Sequence, residues 1–245
     1  MPDRVLRVCA LYPDLMNIYA DRGNLLMLQR RCEWRGIGFE LTPSGLGDPI
    51  DPAAHDLFYL GGGQDRDQAL CAQDLVETKR DALHAAADGG GLVLGICGGF
   101  QLLGHAYELG AEEIPGIGLV DLRTVREDGP RLIGNVAIEV DLPGLDGPRV
   151  LAGFENHGGR TYLGAAEQPL GRVLRGHGNT GSSGVEGVIR GSVIGTYLHG
   201  PLLPKNAWFA DWLIATALGL DAPLQPLDDA FEDAAHASAR RAAGV

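Results

Sequence analysis

The chain has 245 residues, 45% hydrophobic and 21% charged, with a formal net charge of −12. That length suits one large α/β domain or two small ones, and the composition is that of an ordinary soluble globular protein. The acidity argues against a general binder of nucleic acid or anionic membrane, and no apolar run approaches the ~20 residues a membrane-spanning helix needs.

In chain order, residues 5–11 (VLRVCAL) predict a buried strand, turned by Tyr12-Pro13-Asp14. Residues 19–35 predict a helix. Leu25, Leu26, Leu28 and Trp34 supply its apolar face and Gly36 stops it. A short strand at 39–42 and a Gly/Pro/Asp-rich loop at 44–52 follow. A third strand at 56–60 ends at Gly61-Gly62-Gly63-Gln64-Asp65. Residues 65–88 predict a long helix, broken by Gly89-Gly90-Gly91. Next comes Leu92-Val93-Leu94-Gly95-Ile96-Cys97-Gly98-Gly99-Phe100-Gln101: an apolar strand, a sharp turn and a helix-like pattern through Leu109. Alternating strands and helices imply a doubly wound, mainly parallel sheet, whose ligands sit at the carboxyl ends of the strands.

Beyond Gly110 the pattern changes. Residues 119–125, 132–140, 150–154 and 185–190 predict short strands, several antiparallel, attached to the same core. Residues 171–184 predict a mobile surface loop or hairpin. Residues 192–200 form another buried strand with His199 at its end. Residues 207–218 predict a helix with Trp208, Trp212 and Leu213 inward. From Asp228 the acids come first and the bases last, which suits the dipole of a terminal surface helix. One domain over 1–245 is expected, with 221–245 as a surface helix or tail. Met1-Pro2-Asp3-Arg4-Val5 lacks the apolar core of a signal peptide, so a cytoplasmic protein is expected. The four cysteines are widely spaced, with no C-x-x-C and no His at ligand spacing, so neither disulfides nor a metal site is expected.

Cys97 carries the sharpest chemical signal. A strand running into Gly-x-Cys-x-Gly and then a helix has the design of a nucleophile elbow, with a thiol at the apex. The flanking glycines avoid Cβ clashes in the strained turn, and a helix N-terminus there would stabilise a thiolate. The alternative is a small buried hydrophobe in a Gly-rich turn. A cysteine nucleophile needs a base and an oxyanion hole. His199 is the best base, against the plainer reading of a strand-end histidine bonded to backbone. Backbone N–H groups of Gly62 and Gly98 could hold the oxyanion. The glycine run is not a dinucleotide fingerprint, because the G-x-G-x-x-G spacing and its downstream acid are absent.

The Gly-Gly-Gly-Gln-Asp turn, the Gly95–Gln101 elbow and Tyr197-Leu198-His199-Gly200 together resemble a class I glutamine amidotransferase. The branch is the one that includes cobyric acid synthase glutaminase domains and the small GatD-type subunits of lipid II isoglutaminyl synthase. Leu11 to Tyr19, Asp21-Arg22-Gly23-Asn24 and Phe154-Glu155-Asn156-His157-Gly158-Gly159 make the finer match, and the likeness runs to about Leu220. The resemblance implies a flavodoxin-like, mainly parallel α/β sheet with extra antiparallel strands in the second half. It implies L-glutamine as substrate, Cys97 as nucleophile and His199 as the group that protonates departing ammonia. Gln101 matches a family position near bound glutamine, and Arg131 matches a family arginine that binds it. Without the resemblance Arg131 would read as a solvated loop residue. Asn156 and His157 either line the site or form a structural turn, and His157 is the second candidate base.

Many class I members carry a Glu two residues after the catalytic His, where this chain has Pro201. The third triad member is therefore missing, misplaced or supplied by another chain, and the resemblance favours a Mur-ligase-like (MurT-type) ATP-dependent partner. This chain has no P-loop and no cofactor of its own is expected; ATP and Mg would belong to the partner, and lipid II would be met only through it. Low glutaminase activity is expected of the isolated chain. Other readings remain: another acceptor such as a corrinoid carboxylate, a stand-alone cysteine hydrolase using an internal acid such as Glu155, or a non-enzymatic binding subunit.

Overall fold

A computed structural model describes residues 4–18 and 21–245. Tyr19, at which the sequence begins the first helix, lies outside the described residues, as do Met1, Pro2 and Asp3. In chain order the first half forms β1 (Val5–Leu11), α1 (Arg22–Glu33), β2 (Gly38–Ser44), β3 (Leu57–Leu60), α2 (Asp65–Asp74), a π-helical turn (Leu75–Lys79), α3 (Arg80–Asp88), β4 (Leu92–Ile96) and α4 (Gly98–Leu103). The second half forms β5 (Ala106–Leu109), β6 (Glu112–Pro115), β7 (Leu122–Arg126), β8 (Leu132–Val140), β9 (Arg149–His157), β10 (Gly159–Leu163), β11 (Gly171–Arg175), β12 (Val185–Glu186), β13 (Val188–Arg190) and β14 (Val193–Thr196). A 3₁₀ turn (Leu203–Lys205), α5 (Ala207–Ala217) and α6 (Ala230–Ala243) complete it.

The main sheet runs β2-β1-β3-β4-β14-β13, parallel throughout except for the antiparallel edge pair β13–β14. Its parallel strands have the flavodoxin-like order 2-1-3-4-5. The central strands β3, β4 and β14 are buried at every position, which is why their sequences are continuous apolar runs and do not alternate. Between β4 and β14 the chain adds two four-stranded sheets, β10-β7-β5-β6 and β12-β11-β8-β9. A pair of backbone hydrogen bonds between Phe154 and His199, at 3.0 and 2.9 Å, fastens β9 to the segment leaving β14. Among the described residues, no helix is long and apolar enough to cross a membrane.

Several elements differ from expectation. The helix after the elbow stops at Leu103, and the residues expected to continue it form β5. Gly104 adopts an extended conformation packed against Leu122, where a Cβ would collide, and the chain turns into the second sheet. Strands β6 and β10 carry no strong pattern of their own and form by pairing with β5 and β7. Of the two readings of 171–184, the hairpin holds and the mobile loop does not: β11 pairs antiparallel with β12, and Asn179 in the connection is buried with its side chain bonded to both backbone groups of Gly187.

Two helical faces also differ. In α1 the buried side is Leu25, Leu28 and Cys32 with Met27 and Arg31, whereas Leu26 and Trp34 are 52% and 54% exposed. Arg31 can be buried because Asp211 and Asp229 both grip its guanidinium. In α5 the core side is Phe209, Ala210, Leu213 and Ile214. Trp208 and Trp212 are half-buried at its rim, where the Trp212 indole N–H reaches the Pro143 carbonyl at 2.9 Å.

Candidate active site

The carboxyl ends of β1, β3, β4 and β14 meet in one place, and the elbow sits there. Cys97 has φ of 52° and ψ of −105°, a left-handed conformation that an L-residue holds only when its surroundings impose it. The surroundings are glycines. A Cβ at Gly95 would lie 2.8 Å from Leu103 Cδ1, and one at Gly99 would collide with the Leu60 carbonyl. Cys97 N–H donates to the Thr196 carbonyl at 2.8 Å, and Gly99 N–H donates to the Gly61 carbonyl at 3.1 Å. These two bonds pin the nucleophile between β14 and the glycine run. Because Thr196 pairs with Ile96 in register, the segment Tyr197 to His199 leaves β14 at the same end of the sheet as Cys97.

The thiol is not poised as a thiolate. Burial pushes Cys97 up to about 12, the Asp21 carboxyl adds to the rise, and a hydrogen bond from the Gly98 amide opposes it. The expected stabilisation by a helix N-terminus is outweighed, because α4 is one short helix of six residues and Cys97 is buried. His199 is fully buried, and its imidazole is pushed down to about 4, first by burial and then by His157, Lys205 and Arg131. At neutral pH the pair is therefore a thiol and a neutral imidazole, the ground state for general-base activation.

Arg131 is exposed at the start of β8 and its field reaches both Cys97 and His199. Asn156 fixes it: Arg131 Nε donates to Asn156 Oδ1 and Nη2 to the Asn156 carbonyl, both at 2.8 Å. Asn156 thus orients an arginine. His157 is buried on the other side of β9, its ring stacked on Tyr197 with centroids 3.6 Å apart. Its Nδ1–H donates to the Gly159 carbonyl at 2.8 Å, and Nε2 lies 3.7 Å from Glu155 Oε2. Glu155 itself accepts from the His177 and Gly178 amides at 2.6 and 3.0 Å.

Gln101 is buried in a polar chain. Its Oε1 accepts from Gln68 at 3.0 Å and its Nε2 donates to the Tyr197 hydroxyl at 3.0 Å, which also pairs with Thr161 at 2.6 Å. The amide is engaged by protein on both sides. Of the two expected oxyanion donors, Gly98 N–H is directed at the Cys97 sulfur, and Gly62 N–H is already taken by Asp21 Oδ2 at 2.7 Å.

Sequence reading assigned no role to Asp21, Tyr197 or Glu186. Asp21 precedes a helix and looks like a cap. Glu186 sits in a short exposed-looking strand, yet it is fully buried and accepts from the Thr196 hydroxyl and the Tyr197 amide at 2.9 and 2.6 Å. Only the fold brings it under the His199 segment.

Known proteins resemble this chain in sequence and in fold. The family model for CobB/CobQ-like glutamine amidotransferase domains matches residues 7–207. The GatD subunit of lipid II isoglutaminyl synthase (glutamine-hydrolyzing) from Streptococcus pneumoniae is 39% identical over 229 residues, covering 91% of this chain and 86% of that protein. The GatD subunit from Staphylococcus aureus is 39% identical over 206 residues, covering 83% and 81%. A probable cobyric acid synthase from Methanothermobacter thermautotrophicus is 36% identical over 170 residues but matches only 62% of this chain and 32% of that protein. The solved structure of PurLQS from Thermotoga maritima shares the fold, with a TM-score of 0.59 at 21% identity over 87% of this chain and 95% of that one.

Proposed function

Because this chain belongs to the CobB/CobQ-like glutamine amidotransferase family, we propose that it is the glutamine-hydrolysing subunit of a lipid II isoglutaminyl synthase. The observation that supports the reading is the strained Cys97 at the end of β4 with His199 just past the end of the adjacent parallel strand β14. Likeness to GatD subunits over nine-tenths of the chain favours this acceptor over a corrinoid, whose synthases match a smaller part.

In the proposed reaction L-glutamine lies with its side-chain amide over Cys97 and its α-carboxylate on Arg131, a planar fork that suits a carboxylate. His199 takes the thiol proton as Sγ attacks the amide carbon. The tetrahedral oxyanion is held by backbone N–H groups, Gly98 and Gly62. Collapse breaks the C–N bond while His199 returns the proton to the departing ammonia. Water, deprotonated by His199, then attacks the thioester and releases glutamate and the free thiol.

Ammonia passes to a Mur-ligase-like partner that uses ATP and Mg to amidate the D-glutamate of lipid II. The partner also supplies the third catalytic acid. Two observations support that assignment. Pro201 occupies the position of the usual Glu, and the charged neighbours of His199 all push its imidazole towards the neutral form. A carboxylate brought by a partner would orient the ring and favour imidazolium as ammonia departs.

The test is glutamate release from L-glutamine by the chain alone and with its Mur-ligase-like partner, with Cys97→Ser as the blank. Release that needs Cys97 and rises with the partner is the expected result. Cys97-dependent release that ignores the partner would place the acid in this chain. No Cys97-dependent release under either condition would overturn the enzyme reading.

A further inference from the structure

Asp21 stands immediately before α1, yet its side chain makes no capping bond to that helix. It reaches across to the glycine run, where Oδ2 accepts the Gly62 N–H at 2.7 Å. The Gly62 carbonyl is held from the same side, accepting from Ile18 N–H at 3.1 Å. Both polar groups of Gly62 are therefore committed, its carbonyl to Ile18 and its N–H to the Asp21 carboxyl group. Asp21 is tied in place by its N–H to the Ile18 carbonyl at 3.2 Å and by the Tyr59 hydroxyl to its carbonyl at 3.3 Å.

This carboxyl group shares a corner with the nucleophile. A Cβ on Gly62 would lie 3.2 Å from Asp21 Oδ2 and 3.3 Å from Cys97 Cβ. Asp21 is completely buried, and its Oδ1 has no hydrogen-bond partner among the described residues. A buried carboxyl oxygen without a donor is costly, so Asp21 is held here with only half of its hydrogen-bonding capacity met by the protein. Burial also pushes the Asp21 carboxyl up to about 7, against the Gly62 bond that lowers it.

We propose that Asp21 locks the oxyanion hole: it occupies the Gly62 N–H in the resting chain, and the site gains its second donor only when Asp21 releases that amide. An oxyanion and a carboxylate compete for one N–H, and a carboxylate at this distance opposes both the thiolate and the tetrahedral intermediate through like-charge repulsion. Asp21 thereby holds the isolated chain at low activity. The proposal rests on the glutaminase reading, but its signature at the thiol does not.

The experiment compares the full chain with its Asp21→Ala and Asp21→Asn variants. The first readout is the rate of Cys97 alkylation by iodoacetamide against pH, with Cys97→Ser subtracting the other cysteines. The second is kcat and KM for glutamine hydrolysis without partner. Both variants are expected to alkylate about tenfold faster near pH 7.5, the effect of a one-unit fall in thiol pKa, with the profile displaced to lower pH. Asp21→Ala should also raise kcat at little change in KM. Asp21→Asn, which removes the charge but keeps an acceptor for Gly62, should raise it less. Alkylation unchanged or slowed in both, with kcat falling, would overturn the lock and make Asp21 a support of the hole. Faster alkylation in a chain that hydrolyses no glutamine would uphold the lock and overturn the glutaminase reading instead. Asp21→Asn keeps the shape of the site, so a folding failure of Asp21→Ala leaves the alkylation test standing.

Discussion

Asn156 holds Arg131 by two hydrogen bonds of 2.8 Å, one from Nε to its side-chain oxygen and one from Nη2 to its carbonyl. This fixes the plane of the guanidinium beside Cys97 and His199 while leaving other N–H groups for a ligand carboxylate. Arg131→Lys keeps the charge but loses the fork, and Asn156→Ala loosens it. Hydrogen bonds to charged groups contribute about 1.5–3 kcal/mol each. The expected result for Arg131→Lys is therefore a KM for glutamine about ten- to a hundredfold higher with kcat little changed, and a smaller rise for Asn156→Ala. A fall in kcat at constant KM would show that Arg131 acts in the transition state and not in binding.

The pH profile reports His199. Its imidazole is pushed down to about 4 by burial and by His157, Lys205 and Arg131. The base form is lost only as pH falls through that value. In the isolated chain the acid limb of kcat/KM should lie well below the ordinary histidine range near 6.5. A partner carboxylate would favour imidazolium and move the limb to higher pH. The check is the profile with and without partner; a limb that stays in place would mean that no acid approaches His199.

Glu186 links pH to stability. Burial pushes its carboxyl from an ordinary 4.5 up to about 8, against bonds from Tyr197 and Thr196 that lower it. Between those values the folded chain keeps a proton that the unfolded chain has released. Its contribution to stability is thus complete below pH 4.5 and is lost as pH rises towards 8. Asp21, raised from 3.8 to about 7, has the same sign. His199 has the opposite sign, with stability lost as pH falls from 6.5 towards 4. Urea denaturation at pH 5, 6.5 and 8 should show a flatter pH dependence for Glu186→Gln than for the parent. Identical curves would mean that Glu186 is already ionised in the fold at pH 5.

Gly99→Ala tests the elbow. The added methyl would meet the Leu60 carbonyl, a backbone atom of β3 that cannot rotate away. Overpacking of this kind costs about 1–3 kcal/mol. The variant should melt lower and lose glutaminase activity more completely than its stability loss explains, because Gly99 N–H anchors the turn to Gly61. Full activity at a normal melting temperature would show that the turn tolerates a Cβ.

The amino-acid sequence by itself determined the parallel core, the elbow and the approximate place of His199. These are local or short-range signals: continuous apolar runs for strands buried on both faces, glycines where a Cβ cannot fit, and a polar residue at a strand end. The sequence was less informative where pairing partners decide the structure. Strands β5, β6 and β10 form by hydrogen bonding across the chain, and the exposed sides of Leu26 and Trp34 follow from which neighbours pack on α1. Tertiary structure alone decided the state of the site. Asp21 and Gly62 are 41 residues apart, Arg131 and Asn156 are 25 apart, and Glu186 is sealed beneath Tyr197. A charge in a short polar motif looks solvated in sequence; its chemistry changes only when folding removes the water and chooses the partner.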